Sequence, residues 1–256
     1  MKLFDAHNHI QDERLFPELE KVMERARAAG VERMAVKGCC EADWPRVVEI
    51  ANRYLDTHSA FGLHPWFIGG CSRHGLQTLE ELLTSYPQAS VGEIGIDHAL
   101  EERNDAEQER VFLAQLGIAR KFDRPVTIHC RRAWGRLIEL LDQFGELPRG
   151  MLIHCFGGSA EIAAELVKRG AYISFSGSIT RPNAKKAGAA IRAVPDDRIL
   201  IETDAPDILP HGLTTELNEP ANLRFVLAKA AELRGVSEES LAEITFRNAE
   251  QFFGCL

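Results

Sequence analysis

No run of about eighteen uninterrupted apolar residues occurs in the 256-residue sequence, so no segment is suited to cross a bilayer as a helix. The chain opens Met1-Lys2-Leu3-Phe4-Asp5, with an acid where a secretory leader needs its apolar stretch. There is no low-complexity tract and no linker rich in Gly, Ser or Pro, which predicts a single domain over residues 1–256. No C-x-x-C pair occurs among the six cysteines (Cys39, Cys40, Cys71, Cys130, Cys155 and Cys255), and their scatter through apolar stretches argues against a disulfide framework. Reduced thiols in the cytoplasm are the expectation. Basic residues are in deficit, giving a formal net charge of -8 that argues against a broad nucleic-acid-binding surface. Any anionic substrate has to be attracted locally.

What is present is an alternation of strand and helix. Apolar runs at Leu3 to His9, Arg33 to Cys39, Thr57 to His64, Ser90 to Asp97, Pro125 to Arg131, Met151 to Phe156, Ala171 to Ser176 and Ile199 to Asp204 read as eight strands. Helical periodicity fills stretches between them, such as Pro17 to Ala29, Asp105 to Phe122 and Ala160 to Arg169. Two more helices follow the last strand: Glu219 to Arg234 ending at Gly235, and Ser237 to Phe253 with Ser237 as N-cap. Near-continuously apolar strands, each followed by a helix, imply a parallel sheet covered on both faces, and eight of them imply a (β/α)8 TIM barrel. The competing open, doubly wound sheet would need a Gly-rich phosphate turn after the first strand, and none is there.

The ionisable residues that interrupt these strands sit at their C-terminal ends, the face where barrels of this kind build active sites. Alternation points His7 and His9 the same way, and likewise Glu202 and Asp204. A lone His-x-His is a weak signal, but Glu93, His129, His154 and Asp204 each close a further apolar run. Gathering so many ionisable groups in a barrel mouth costs several kcal/mol per uncompensated charge, which divalent cations would offset. Imidazole and carboxylate donors suit Zn, Mn or Fe, and Mg less comfortably. A catalytic zinc takes about three protein ligands, so six candidates match two metals sharing a carboxylate. Two such cations would outweigh two carboxylates and a hydroxide by about one charge, favouring an anionic substrate such as a phosphodiester.

The segments Phe4-Asp5-Ala6-His7-Asn8-His9, Gly62-Leu63-His64-Pro65, Gly92-Glu93-Ile94-Gly95-Ile96-Asp97, His129-Cys130-Arg131, His154-Cys155-Phe156 and Glu202-Thr203-Asp204-Ala205-Pro206, taken in order, resemble the TatD family of metal-dependent hydrolases. Asn218-Glu219-Pro220 and Thr245-Phe246-Arg247-Asn248 are similar to its C-terminal motifs. The resemblance runs from about residue 3 to about residue 253 and implies a TIM barrel of the amidohydrolase superfamily. It also implies one metal on His7, His9 and Asp204, a second on His129 and His154, and Glu93 bridging them. The implied activity is hydrolysis of DNA or RNA, typically as a 3'-5' exonuclease, with D-aminoacyl-tRNA deacylation linked to some members. His98 after Asp97, and Cys155-Phe156-Gly157-Gly158 after His154, depart from the family's commoner pattern without removing a ligand.

The function expected from these residues is therefore phosphodiester cleavage at nucleic-acid ends by an activated hydroxide, with Asp204 as ligand and proton acceptor. Hydrolysis of an ester or amide, as in a D-aminoacyl-tRNA deacylase, would use the same donor set and is the alternative. A non-catalytic barrel is disfavoured because all six positions hold competent ligands. Glu202 is expected either as a ligand or behind a ligating His, His64 either near the site or packed under Pro65 and Trp66, and Arg131 as a clamp for a phosphate or carboxylate. Arg132 and Arg181 read as ordinary surface residues, Cys130 and Cys155 as thiols facing the barrel-helix layer, and Trp44 and Trp66, for which packing is commoner than a base-stacking platform, are left unassigned. A small anionic substrate remains an option beside nucleic-acid ends, and neither a membrane nor a protein partner is required.

Overall fold

Why the chain closes on itself is visible in the strands. All eight are buried almost throughout, so each must be covered on both faces. They are β1 (Leu3–Asn8), β2 (Val31–Lys37), β3 (Thr57–Phe61), β4 (Ser90–Asp97), β5 (Val126–Arg131), β6 (Met151–Ile153), β7 (Ala171–Phe175) and β8 (Ile199–Ile201). The computed structural model, which describes residues 1–254, pairs them in parallel in the order β1 to β8 as one sheet. Cys255 lies outside the described residues. The seam between β8 and β1 is closed beyond the ladders: the Asp204 N–H donates to the His7 carbonyl (3.0 Å) and the His9 N–H to that of Ala205 (2.7 Å). Beneath these bonds, the buried Asp5 carboxylate accepts from the Thr203 N–H (2.8 Å) and hydroxyl (2.5 Å).

Helices α1 (Leu19–Ala28), α2 (Trp44–Arg53), α3 (Gly75–Ser85), α4 (Asp105–Phe122), α5 (Trp134–Phe144), α6 (Ala160–Lys168) and α7 (Lys185–Ala193) follow successive strands, and α8 (Leu223–Arg234) and α9 (Glu238–Phe253) follow the last. Asp105 to Phe122 matches the sequence-based expectation residue for residue, and Ser237 caps α9 by accepting from the Ser240 N–H. Gly235 takes the left-handed conformation that ends α8. The apolar core forms two bodies. A large one lies between sheet and helices, while Phe4, Ala6, Ala35, Leu152, Tyr172 and Leu200 meet Phe252 and Phe253 of α9 in a smaller one. Phe253 stacks on Phe4 with ring centroids 5.4 Å apart.

Most strands are shorter at their C-terminal ends than the apolar runs suggested. β3 stops at Phe61, β6 at Ile153 and β8 at Ile201, so His64, His154 and Asp204 lie beyond the ladders. The reason is local: Cys155 (φ 43°) and Asp204 (φ 56°) are left-handed, which no extended strand tolerates. These tails carry the ligand candidates and turn over the barrel mouth.

Gly95 fixes how closely β4 and β5 approach. A Cβ there would stand 1.9 Å from the His129 carbonyl oxygen, and its φ of +152° is comfortable only for glycine. Gly95→Ala is therefore expected to destabilise the fold by more than about 4 kcal/mol, an exceptional single-site effect. Urea unfolding checks this. A loss under about 1 kcal/mol would show that the two strands can separate without penalty.

Candidate metal centre

Six side chains from five strand ends, two of them from β1, converge at the C-terminal mouth. The Nε2 atoms of His7 and His9 lie 3.1 Å apart, and Asp204 Oδ1 stands 3.6 and 3.5 Å from them. Glu93 Oε2 faces the same pair at 3.2 and 3.3 Å. The other oxygen of that carboxylate, Oε1, lies 3.0 Å from His129 Nδ1 and 2.7 Å from His154 Nε2, themselves 3.3 Å apart. Glu93 thus presents one oxygen to each of two donor groups. Ligand atoms on a four-coordinate ion with bonds of about 2.0–2.1 Å are separated by about 3.3–3.4 Å, and separations of 2.7 to 3.6 Å in the two groups bracket that spacing, so the donor set fits divalent cations.

The supporting contacts fix which nitrogen of each imidazole faces inward. His9 Nδ1 meets the Lys37 carbonyl (2.8 Å), leaving Nε2 for the site. His154 Nδ1 faces Glu202 Oε1 (3.3 Å), whose carboxylate also accepts from the Cys155 N–H (2.7 Å) and the Ser174 hydroxyl. Glu202 therefore sits behind His154, the second of the two expected placements. His129 Nε2 meets Asp97 Oδ2 at 3.1 Å. A carboxylate behind a ligating imidazole fixes its orientation and raises its basicity.

Electrostatics agree with this division. Burial alone would raise the Glu93 carboxyl, but the field of His154, His64 and His7 outweighs burial and holds it well below the usual range. Burial of Asp204 is likewise overcome, by the His9 hydrogen bond and the charge of His154, so it is held low. Glu202 is pushed up by burial, a shift that His154 only partly offsets. Burial, with His154 beside it, drives His7 well below the ordinary histidine value, whereas His9 and His154 are drawn well above it despite burial, His9 by Cys39 and Asp204, and His154 by Glu93 and Glu202. Protons and metal would compete for the same inward nitrogens, so metal uptake would release protons.

His64 also reaches the site, with Nε2 3.3 Å from Glu93 Oε1. Its Nδ1 accepts the Trp66 backbone N–H (3.2 Å), and burial lowers its pKa to about 4. With Nδ1 accepting, the neutral ring carries its proton on Nε2 and can donate into the site, and His64 also groups with Glu93 and His129 as donors close enough to hold a metal. Arg131 is exposed and lines the same cavity of about 1100 Å³.

Several expectations need correction. Arg132 and Arg181 are not ordinary surface arginines, since both line the cavity. Cys155 faces the cavity too, because its left-handed backbone breaks the alternation that would have turned it outward. Cys130 is buried as expected but reaches the cavity wall. Trp44 packs in the core at 2% exposure, while Trp66 is 52% exposed at the mouth. His98 turns toward Asp105 (3.8 Å), away from the metal-type donors.

Two residues of the site were missed. Asp97 is fully buried and accepts from His129, from the Trp66 indole N–H (2.7 Å) and from the Ala99 N–H (2.7 Å). Alternation could have found it, because Glu93 and Asp97 are four residues apart on one strand face. Cys39 lies past the end of β2 with Sγ 3.5 Å from His9 Nδ1 and 4.0 Å from Glu93 Oε2. Its place at the end of the apolar run Arg33 to Cys39 is the signal that could have found it.

An eight-stranded parallel barrel whose mouth gathers four imidazoles and two carboxylates defines a hydrolase of the metal-dependent kind. The chain belongs to the family described as TatD related DNase, whose pattern it matches over residues 4–254. It is 36% identical over 251 residues to the uncharacterized metal-dependent hydrolase YabD of Bacillus subtilis (strain 168), with 98% of each chain covered. It is 32% identical over 260 residues to the 3'-5' ssDNA/RNA exonuclease TatD of Citrobacter koseri, covering 98% of this chain and 99% of that one. Among solved structures, YJJV, a TatD homolog from Escherichia coli K12, superposes with a TM-score of 0.94 at 31% identity, covering 98% of both chains.

Proposed function

We propose that this protein is a phosphodiesterase that trims the ends of single-stranded DNA or RNA, using two divalent cations. The observation that carries this reading is the placement of Glu93, with one carboxylate oxygen toward His7 and His9 and the other toward His129 and His154. His7, His9 and Asp204 would hold one cation, His129 and His154 the other, and Glu93 both. When bound, Zn, Mn or Mg would supply a nucleophilic hydroxide at neutral pH and neutralise charge on the phosphoryl group. Asp204 is ionised and at the edge of the donor group, positioned to take a proton from the attacking water. His64 offers its Nε2–H to a phosphate oxygen, and Arg131 adds a cation that cannot be neutralised. Glu202 and Asp97 hold His154 and His129 in place. The names of the relatives as exonuclease and metal-dependent hydrolase agree with this chemistry.

All the donors come from one chain, so no protein partner is needed for the chemistry. No helix among the described residues is long and apolar enough to cross a membrane, and the five described cysteines are free, which supports a reducing cytoplasm as the site of action.

Two assays on one metal-loaded preparation test the reading. Release of mononucleotides from a short single strand, with far slower hydrolysis of aminoacyl esters and amides, is the expected result. The reverse order of rates would assign the site to carbonyl chemistry instead.

Binding should be local rather than tracked along a groove, because the net charge of -8 leaves only the mouth to attract a polyanion. At about -0.7 in the slope of log affinity against log salt per phosphate, two to three phosphates give roughly -1.5 to -2. Affinity should gain little beyond about four nucleotides. A slope steeper than about -5 would reveal an extended basic track.

A further inference from the structure

The five exposed large apolar side chains among the described residues are Met1, Leu55, Trp66, Phe67 and Val236, and just one pair of these is contiguous. Trp66 and Phe67, 52% and 44% exposed, both line the cavity that contains the candidate metal centre. Trp66 is not free to swing. Its indole N–H is tied to Asp97 Oδ2 at 2.7 Å, and its ring stands edge-on to His64 (5.0 Å) and to His129 (6.0 Å). A large ring held by one edge, with half its surface in water beside the donors, has no packing role that would account for its exposure. Trp134, on the same cavity, shows the contrast by packing on Phe156 at 4.9 Å.

Charge is distributed around the mouth with equal asymmetry. On the β8 and β1 side, Arg14 is consumed by Asp12 and Asp207. The ends of β5 and β7 and the segments that follow them, with Arg131 closing β5 and Lys186 in the first turn of α7, bring Arg131, Arg132, Arg181 and Lys186 to the cavity, and no carboxylate pairs with any of them among the described residues. Elsewhere arginines are commonly paired, as Arg25 with Glu219, Arg136 with Glu109 and Arg169 with Asp142. The sheet order places the aromatic pair after β3 and the unpaired cations at and after the ends of β5 and β7, leaving one arc of the mouth aromatic then cationic.

We propose that Trp66 and Phe67 form a stacking platform for the terminal nucleobase of a single-stranded nucleic acid, while Arg131, Arg132, Arg181 and Lys186 hold the phosphates of the nucleotides that precede it. This rests on the phosphodiesterase reading and adds to it the residues that hold the terminal base and the phosphates of the single strand. Stacking needs an unpaired base, so the platform selects single strands without reading sequence, and every base has a face to offer. The cations neutralise backbone charge that a protein of net charge -8 would otherwise repel. Asp97 links the platform to His129, so the ring that receives the base shares a carboxylate with a candidate ligand.

The test is a binding measurement with Mn-loaded Asp204→Asn protein and a 5'-labelled tetranucleotide ending either in adenosine or in an abasic sugar. With Trp66 present, loss of the terminal base is expected to weaken binding by about 5- to 150-fold, the range that alanine substitution of stacking rings gives. In Trp66→Ala, also carrying Asp204→Asn, the two ligands should bind within about twofold of each other, whereas Trp66→Phe keeps most of the discrimination. Equal weakening of both ligands by Trp66→Ala, with the base still recognised, would show that Trp66 acts only by positioning His129 through Asp97, and would overturn the platform. For the cations, Arg181→Ala with Lys186→Ala should make the salt slope shallower by about 0.7, the loss of one phosphate contact. An unchanged slope overturns that half. Wild-type cleavage separates the two readings: base discrimination in binding without cleavage of the oligonucleotide sinks the phosphodiesterase and leaves the platform, and cleavage indifferent to the terminal base does the opposite.

Discussion

Asp204→Asn is expected to lower turnover by on the order of 10² to 10⁴ while leaving the fold intact, because it removes a proton acceptor and weakens one metal contact together. The fold should survive for identifiable reasons. The bond that closes the barrel here is the Asp204 backbone N–H to the His7 carbonyl, which the substitution does not touch. Asp204 is left-handed at φ 56°, a conformation that Asn adopts as readily as Asp and that Ala would resist. Unfolding midpoint, metal content and turnover should be measured on the same sample. Near-normal turnover with full metal content would remove Asp204 from the proton pathway.

Glu93→Gln is expected to cost both cations at once. The Glu93 carboxylate is almost fully buried and stands within about one hydrogen-bond length of imidazoles on both sides, at 3.2 Å from His7 and 2.7 Å from His154. An amide carries no charge and replaces one acceptor oxygen with an NH₂ group, so one side loses its donor atom and the other its anionic attraction. Elemental analysis should show occupancy of the two positions falling together. Loss of a single equivalent, with the other retained at wild-type affinity, would contradict a shared carboxylate.

Much of the architecture was legible because it follows from periodicity and burial. Eight apolar runs with helices between them become eight parallel strands, and Asp105 to Phe122 and Ser237 kept their assigned places because caps and amphipathic spacing are local. All six ligand candidates do converge, since strand ends of a barrel share one mouth. What failed was the extension of strand geometry past the ladder. Cys155 was turned outward by alternation and Asp204 was given to a strand, yet both have left-handed backbones that no residue-type pattern announces. The register of β1 against β2 also shifts between Asp5 and Asn8, beside His7, a rearrangement that depends on the neighbouring strand. Composition concealed the cationic arc for a different reason. A net charge is a sum over the whole surface, and four cations unpaired by carboxylates, gathered at and after the ends of β5 and β7, vanish in it. Trp66 stayed unassigned because an aromatic between Pro65 and Phe67 ordinarily packs, and its exposure follows from a long-range bond to Asp97, thirty-one residues away in sequence.

The central claim is that one carboxylate, Glu93, joins two cations that together receive a phosphate. Its most direct test is anomalous diffraction from Mn-loaded crystals of the wild-type protein soaked with a short single-stranded oligonucleotide carrying a phosphorothioate at the terminal linkage. Two anomalous peaks are expected, one among His7, His9 and Asp204 and one between His129 and His154, with the Glu93 carboxylate between them and the thiophosphate in contact with both. A single peak, or a phosphate bound away from Glu93, would contradict it.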